Sequence, residues 1–453
     1  MTKISYQTFR RMQCFFSSRR QVHSAQHRIA RGAVLSGVSS AVNAVMTLSL
    51  GVICARLLGR QGYGELSMVL STSSMFTAVG SCGLSITTAK HIAQYKEENR
   101  SKAGEVAGVS LLISACIGLL CALIQISLAP MLAKKTLHAP MLGVQLQIAA
   151  LIVLFSSLNT AQTGVLQGFE AFHEVVRQNL LRGAITLASV IVGSRWGGLP
   201  GAIFAYALSN FLFSVLLQRA ILKICRANEI QLQYFCSWRE VISLLGFSLA
   251  VLVSAIALVP ANWWATAQLA TRTGFGQVGI FTAMYQWQSA ILFISNAVIA
   301  SSLPVLTSLL SAGDIHEYTK QIRRVFLITS ISGAAIAIPL ALFSGWIVQL
   351  YGKDFRGAAT TLVVICVFGI LNAAGAPVGT LLWSTGSTRA GVILSIIGGL
   401  SLLIFATLFT GQGAMGLAFA YLCLSCVQVI SGLIWWVWWK PYNRLSVNGT
   451  SSS

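Results

Sequence analysis

Acidic residues are scarce in this chain. Asp and Glu together number 11 in 453 residues, and the first of them is Glu65. Charged residues make up 9% of the chain and hydrophobic residues 55%, whereas soluble proteins carry about 25% charged residues. So few charges cannot cover the surface of a soluble protein of this length, and such high hydrophobicity excludes a disordered chain. The composition therefore predicts a membrane protein with several spans.

Catalytic and metal-binding patterns are also lacking. The six His are scattered along the chain without metal-ligand spacing. Most of the ten Cys lie in apolar runs, where Cys packs as a small hydrophobic residue. We therefore expect no enzymatic activity, no bound metal and no cofactor.

The apolar runs have the length of membrane-spanning helices. A bilayer core of about 30 Å needs roughly 20 helical residues, and the runs do not alternate with the period of a β-barrel strand. We predict an all-α polytopic protein with about 12 spans: 33–55, 65–88, 106–129, 144–167, 179–195, 199–221, 241–260, 278–302, 325–349, 358–383, 390–409 and 413–438.

The net charge of +20 would suit a nucleic-acid partner. The basic residues, however, lie in short breaks between the spans rather than in one stripe, so we expect no nucleic-acid binding. Of the 31 Lys and Arg, 23 fall in the N-terminus, the C-terminus and the connections on the same side as both. Because cytoplasmic loops are enriched in Lys and Arg, this bias predicts that both termini are cytoplasmic.

Short motifs recur about 212–215 residues apart. Arg60–Gly64 and Arg272–Gly276 both read Arg-x-Gly-aromatic-Gly, with an offset of 212 residues. Gly198–Tyr206 matches Gly413–Tyr421 at five of nine positions, with an offset of 215. Six spans separate the copies, so the two halves share one orientation. Parallel repeats of this kind occur in secondary transporters, whose substrate site lies between the halves.

The repeat predicts two parallel six-helix bundles around a central cavity. We place a basic cytoplasmic arm at 1–32, the first bundle at 33–221, a cytoplasmic linker at 222–240, the second bundle at 241–438 and a cytoplasmic tail at 439–453.

Cations near the spans are the candidates for holding an anionic head group. Arg in particular presents a planar fork of donors that suits a phosphate. The alternative is that each cation snorkels to lipid head groups from the end of a span. We expect Lys90 and Arg272, on opposite sides of the membrane, to receive a pyrophosphate in turn. Arg31, Arg56 and Arg182 are the further candidates.

Four aromatic residues divide into two groups. Tyr285 and Trp287 lie inside the eighth span and are candidates for stacking on a sugar ring. Trp263 and Trp264 follow the seventh span and are expected in an interfacial aromatic belt. The segment 314–324 opens with a capping box and predicts a short amphipathic surface helix between two spans.

No Asp or Glu falls at a predicted bilayer centre. Proton relays and cation sites in membranes use such carboxylates. Their absence argues against a drug/cation antiporter.

Four segments resemble a known family: Leu57–Gly64, Leu166–Glu170, the stretch from Pro304 to Asp314, and Tyr351–Ala358. They are similar to bacterial polysaccharide-biosynthesis proteins. These are oligosaccharide flippases of the O-antigen translocase type within the multidrug/oligosaccharidyl-lipid/polysaccharide exporter (MOP) superfamily. The resemblance runs from about residue 30 to residue 435.

This resemblance implies a flippase in the bacterial inner membrane. Its substrate would be an undecaprenyl-pyrophosphate-linked oligosaccharide for a surface polysaccharide such as O-antigen, lipopolysaccharide or exopolysaccharide. Its partners would be membrane lipids and a glycan polymerase with its export machinery. Three alternatives stay open: a drug/cation antiporter of the same superfamily, a flippase for the peptidoglycan lipid precursor, and a membrane glycan polymerase, which the short external loops disfavour.

Overall fold

The computed structural model describes residues 3–81, 83–234, 257–384 and 388–438. In these ranges the chain is helical and contains no β-strand. The helices are α1 (Lys3–Ser81), α2 (Leu84–Glu98), α3 (Arg100–Met131), α4 (Leu142–Gly168), α5 (Phe172–Ala227), α6 (257–273), α7 (Phe275–Tyr285), α8 (Trp287–Ile291), α9 (Phe293–Ser311), α10 (Ile315–Leu342), α11 (Ser344–Gln349), α12 (Ala359–Ser384), α13 (Thr388–Phe409) and α14 (Ala414–Trp438). The predicted tail at 439–453 and part of the predicted linker lie outside the described residues.

The two longest helices each fold back on themselves at a glycine. In α5 the break is Gly198, with φ 55° and ψ −136°. Gly193 and Gly201 are packed so closely that a Cβ atom on either would overlap the backbone of the other. In an unbroken helix these residues would be about 12 Å apart. The chain therefore reverses at Gly198, and α5 forms two antiparallel spans.

Helix α1 reverses in the same way at Gly59, where φ is 69° and ψ is 178°. Gly51 before the break and Tyr63 after it both contact the side chain of Gln286. Nine helical stretches in the described ranges are long and apolar enough to cross a membrane. The two reversals divide two of these stretches, which gives eleven apolar helical segments, and α6 brings the number to twelve. The predicted all-α membrane fold is confirmed, and this count agrees with the predicted number of about 12 spans.

The backbone angles change the offset between the two copies of the predicted repeat. Gly274 has φ 89° and ψ 162°, close to the values at Gly59, and Gly413 has φ 74° and ψ −151°, close to those at Gly198. Both pairs are 215 residues apart. The offset of 212 for the Arg-x-Gly-aromatic-Gly motif is wrong, because the structure matches the breaks between helices and not the arginines. Arg60 is therefore equivalent to Phe275 and not to Arg272.

Helices α1–α5 pack on one another, and α7–α14 form a second group that packs against them through α1. Polar side chains link the spans within the first group. The buried Gln125 of α3 donates to the carbonyl oxygen of Leu146, 2.8 Å away in α4, and to the hydroxyl of Ser73, 3.2 Å away in α1. In lipid the hydrophobic effect does not drive helices together, so such interhelical hydrogen bonds contribute to the association of the spans.

The predicted surface helix at 314–324 is not a separate element. Asp314 does cap a helix, since its carboxylate accepts from the backbone N–H of Glu317 at 3.0 Å. That helix is α10, which continues without a break to Leu342. No glycine or proline follows Arg324 before the apolar run begins, so nothing ends the helix there.

Candidate functional site

The two groups of helices meet where α1 crosses α7. A Cβ atom on Gly64 would overlap the carbonyl oxygen of Phe275, and a Cβ atom on Gly279 would overlap that of Arg60. Gly64 and Gly279 are 215 residues apart, as are Arg60 and Phe275. The two contacts are therefore equivalent in the repeat, and a pseudo-twofold axis passes between the two glycines.

Three side-chain hydrogen bonds accompany this crossing. The indole N–H of Trp263 donates to the hydroxyl of Thr72 at 2.9 Å. The amide of Gln286 donates to the hydroxyl of Tyr63. Arg56 Nε donates to the carbonyl oxygen of Leu350 at 2.6 Å. We call this contact region the seam: Gly51, Arg56, Arg60, Tyr63, Gly64 and Thr72 on one side, and Trp263, Phe275, Gly279, Gln286 and Leu350 on the other.

The predicted position of Trp263 in an interfacial belt is wrong. Its side chain is 8% exposed and lies in the seam, not in an interfacial belt. Helix α6 continues to residue 273, well past the predicted end of the seventh span at 260. Trp263 therefore lies within a span and not in the connection after it.

Arg272 binds backbone on its own side of the seam. Its Nη1 donates to the carbonyl oxygen of Thr407 and, at 3.2 Å, to the hydroxyl of Thr410. Beside it, the side chain of Gln277 accepts from the backbone N–H of Ala414 at 3.0 Å. The two side chains together hold the turn between α13 and α14. Arg272 thus satisfies a carbonyl group and a hydroxyl at a helix end, the role that a cation takes in a structural cap.

The cations proposed to act in sequence lie far apart. Lys90 is exposed on α2. Ser73, next to the seam residue Thr72, contacts Ala149 of α4, whereas Ile92 of α2 contacts Gly168, which is 19 residues or about 29 Å further along α4. Arg272 lies two residues before Gly274, beside the seam. The side chain of Arg31 lies outside the described residues. Arg56 is exposed and, as described above, uses its Nε to bridge the seam.

Arg182 has a different environment from the other cations. Its guanidinium carbon lies 5.3 Å from the ring centroid of Phe213, which is 1% exposed, while Arg182 itself is exposed. The next residue, Gly183, packs against Met46 of α1. Met46 lies 13 residues, or about 20 Å, from the reversal at Gly59. Along α5 itself, Arg182 lies 16 residues, or about 24 Å, before the reversal at Gly198. A span is about 30 Å long, so Arg182 lies inside an apolar span, toward the end away from the seam.

The two candidate aromatic residues pack into the second group of helices. Tyr285 forms ring contacts with Phe281, Phe368 and Tyr421, at centroid distances of 5.3–6.1 Å. Trp287 donates its indole N–H to the hydroxyl of Tyr351 at 3.1 Å. The structure thus places Tyr285 and Trp287 beside the seam. Lys90 lies on α2, at a distance from the seam and from both aromatic residues.

Sequence reasoning missed Tyr63 and Gln286, which meet across the seam. Tyr63 belongs to a recognised motif. Gln286 lies inside the eighth span with helical backbone angles, φ −56° and ψ −30°. A polar residue inside an apolar span was the available signal, because polar side chains in spans face other helices and hydrogen-bond to them. Among the described residues, no group of three or more His, Cys, Asp or Glu side chains could hold a metal ion.

Three solved structures that share this fold are transporters of the MOP superfamily. A multidrug resistance MATE family transporter in an inward-facing conformation is 16% identical, covering 91% of this chain and 96% of that chain with a TM-score of 0.77. An outward-facing one is 16% identical, covering 93% and 96% with a TM-score of 0.70. A MOP superfamily transporter from Pyrococcus furiosus, described as having a binding pocket of reverse polarity, is 17% identical, covering 92% and 95% with a TM-score of 0.67.

The chain therefore has the fold of a multi-pass membrane transporter and not of an enzyme. Residues 29–310 match the model of the polysaccharide biosynthesis protein family. Because this match spans more than half of the chain, the protein belongs to that family. Comparison with curated protein sequences gives no match.

Proposed function

We propose that this protein is a flippase that moves an undecaprenyl-pyrophosphate-linked oligosaccharide across the bacterial inner membrane for surface polysaccharide biosynthesis. Membership of the polysaccharide biosynthesis family supports the substrate class. A sugar and a pyrophosphate are costly to move through hydrocarbon, because each polar group that loses its hydrogen bonds costs several kcal/mol. A polar, cationic path between two helix bundles would lower that barrier.

The observation that carries the proposal is the position of Arg182 inside an apolar span. An ionisable side chain in a span faces the bundle interior or a water-filled cavity and marks a pathway by default. Arg182 covers the ring of Phe213, and no carboxylate among the described residues forms an ion pair with it. Its exposed guanidinium would bind the pyrophosphate in the cavity between the bundles. Lys90 would lie at the entry to this path, whereas Arg56 and Arg272 would serve the structure of the seam.

The charge bias assigns sides to this arrangement. Both termini would be cytoplasmic, with the seam near the outer face and the space between the bundles open to the cytoplasm. On the side away from the seam, Lys96 pairs with Glu170 at 2.8 Å and Arg100 with Glu229 at 3.5 Å. These basic segments lie on the side that the charge rule makes cytoplasmic.

A drug/cation antiporter remains the second candidate, because the fold neighbours include multidrug transporters. A cation site would need a carboxylate in the spans. The two functions predict opposite effects of the charge at Arg182. A flippase for an anionic head group needs that charge, whereas export of a cation would be unchanged or improved without it.

Removing the charge of Arg182 is therefore the decisive experiment. Arg182→Gln should reduce surface glycan at least about tenfold, the equivalent of one lost charged hydrogen bond of about 1.5 kcal/mol or more. Arg182→Lys should retain part of the activity. Arg195→Gln, an exposed arginine near the end of the same span, is the matched control and should export normally. Normal glycan export by Arg182→Gln, at equal amounts of protein in the membrane, would refute the proposal.

Topology has its own test. A reporter that is active only outside the cytoplasm should be silent when fused after Trp439 and active when inserted near Lys353. The expected pattern follows from the distribution of Lys and Arg. The reverse pattern would overturn the assignment of sides without affecting the fold.

A further inference from the structure

An apolar groove of about 670 Å³ lies between α8, α10 and α11. Its walls include Trp287 of α8, Ile336 and Pro339 of α10, and Phe343 and Trp346 at the start of α11. Phe343 and Trp346 are each 64% exposed. The groove is therefore open at the side of the protein, where a membrane span meets lipid.

The chemistry of the groove suits hydrocarbon. The indole N–H of Trp287 is used in the hydrogen bond to Tyr351, which leaves the carbon face of the ring as the wall. The other lining side chains carry alkyl or aromatic groups. A sugar or a peptide would find few hydrogen-bonding partners here, and apolar cavities do not hold water well.

The groove also borders the seam. Trp287 directly follows Gln286, which contacts Tyr63 and Gly51 of the other group of helices. Tyr351, the partner of Trp287, directly follows Leu350, whose carbonyl oxygen accepts from Arg56. The back wall of the groove is thus one residue away from two of the contacts that hold the seam together.

The position of the groove along α10 also places it near the seam. The lining residues of α10 begin 20 residues after its first residue, Ile315, which is about 30 Å along the helix. The groove is therefore at the end of the span that is nearer the seam, opposite the end at Asp314.

We propose that this groove binds the polyisoprenoid chain of the lipid-linked substrate. The inference rests on the proposed function. A head group held between the bundles keeps its tail tethered at the edge of the seam, and tethering raises the effective concentration of the chain at a neighbouring apolar surface. A phospholipid acyl chain has no such tether. Occupation of the groove would press on Trp287 and so bias the contacts of Gln286 across the seam.

Photo-cross-linking tests this assignment directly. The protein carrying Phe343→benzoylphenylalanine would be reconstituted in phospholipid vesicles that contain undecaprenyl phosphate as the probe. The control is Ile331→benzoylphenylalanine, because Ile331 is 66% exposed on the same helix and does not line the groove. We expect several-fold more undecaprenyl adduct at position 343 than at position 331, measured by mass spectrometry.

A second variant checks occupancy of the same space. Ile336→Trp fills the groove and should remove most of the adduct at position 343, with thermal unfolding in detergent showing that the variant is folded. Equal undecaprenyl labelling at both positions, or phospholipid adducts alone at position 343, would overturn the inference.

The outcome is separable from that of the proposed function. Selective labelling in a protein that fails to export glycan would leave the groove assignment intact and refute the flippase. Normal glycan export without selective labelling would refute the groove assignment and leave the flippase intact.

Discussion

Alanine at Gly64 or at Gly279 is expected to weaken closure of the seam and to reduce transport strongly. The added methyl group would overlap a backbone carbonyl oxygen in each case, that of Phe275 or that of Arg60. A backbone atom cannot rotate away as the end of a side chain can. Overpacking of this kind costs about 1–3 kcal/mol, which corresponds to a loss of closure of about 5-fold to 150-fold. Because the contacts are equivalent, both variants should behave alike.

The measurement uses a cysteine at a seam position. Thr72 is fully buried, so Thr72→Cys should be protected from a membrane-impermeant maleimide added on the side of the seam. Adding Gly64→Ala or Gly279→Ala should make that cysteine reactive. Gly62→Ala is the matched control, because its methyl group would meet only Leu58 Cβ of the preceding turn, at 3.1 Å. Continued protection together with normal glycan export in both variants would contradict the role of the crossing.

Trp263→Ala should be the most destabilising single change in the seam. The side chain is 8% exposed and belongs to the main hydrophobic core. Truncation of a buried Trp costs about 3–5 kcal/mol. We expect a large fall in the thermal unfolding midpoint of the purified protein. Trp264→Ala is the control on the same helix, because Trp264 is only half-buried, and it should lose clearly less.

The hydrogen bond across the seam can be isolated from this packing effect. Trp263→Phe and Thr72→Val each remove one partner of the bond and should each cost about 1 kcal/mol. In the double variant the two losses should not add, because both changes delete the same interaction. Additive losses would show that the hydrogen bond between Trp263 and Thr72 contributes nothing.

The fold could be predicted from the sequence because span length and hydrophobicity are properties of single segments. The breaks at Gly198 and Gly413 were within reach too, since five of nine neighbouring residues match. The break at Gly59 was assigned the wrong partner. The arginines near it recur by coincidence, and only the backbone angles identify Gly274 as its equivalent.

The candidate site was less accessible to sequence reasoning. Arg56 and Arg272 lie beside predicted spans and Arg182 lies just inside one. Their different roles depend on the groups that fold beside them, which are carbonyl groups for Arg56 and Arg272 and the ring of Phe213 for Arg182. Arg272 is held by Thr407, 135 residues away in the chain. Trp263 was mistaken for an interfacial residue because an amphipathic ring has the same sequence signature in a belt and in a buried contact.

The crossing of Gly64 and Gly279 has the geometry of an isologous dimer interface, in which the same patch of each subunit meets its own copy. Here both copies belong to one chain, so the side chains around the glycines are free to differ. Tyr63 in the first half corresponds to Val278 in the second, and Gln286 corresponds to Ser71, so the hydrogen bond between Tyr63 and Gln286 has no mirror image. In a homodimer of either half, every side chain around the two glycines would be present twice, in symmetric positions. Because the two halves are fused in one chain, the backbone contact at the glycines is symmetric while the side chains around it differ. A ligand without twofold symmetry requires such an asymmetric surface.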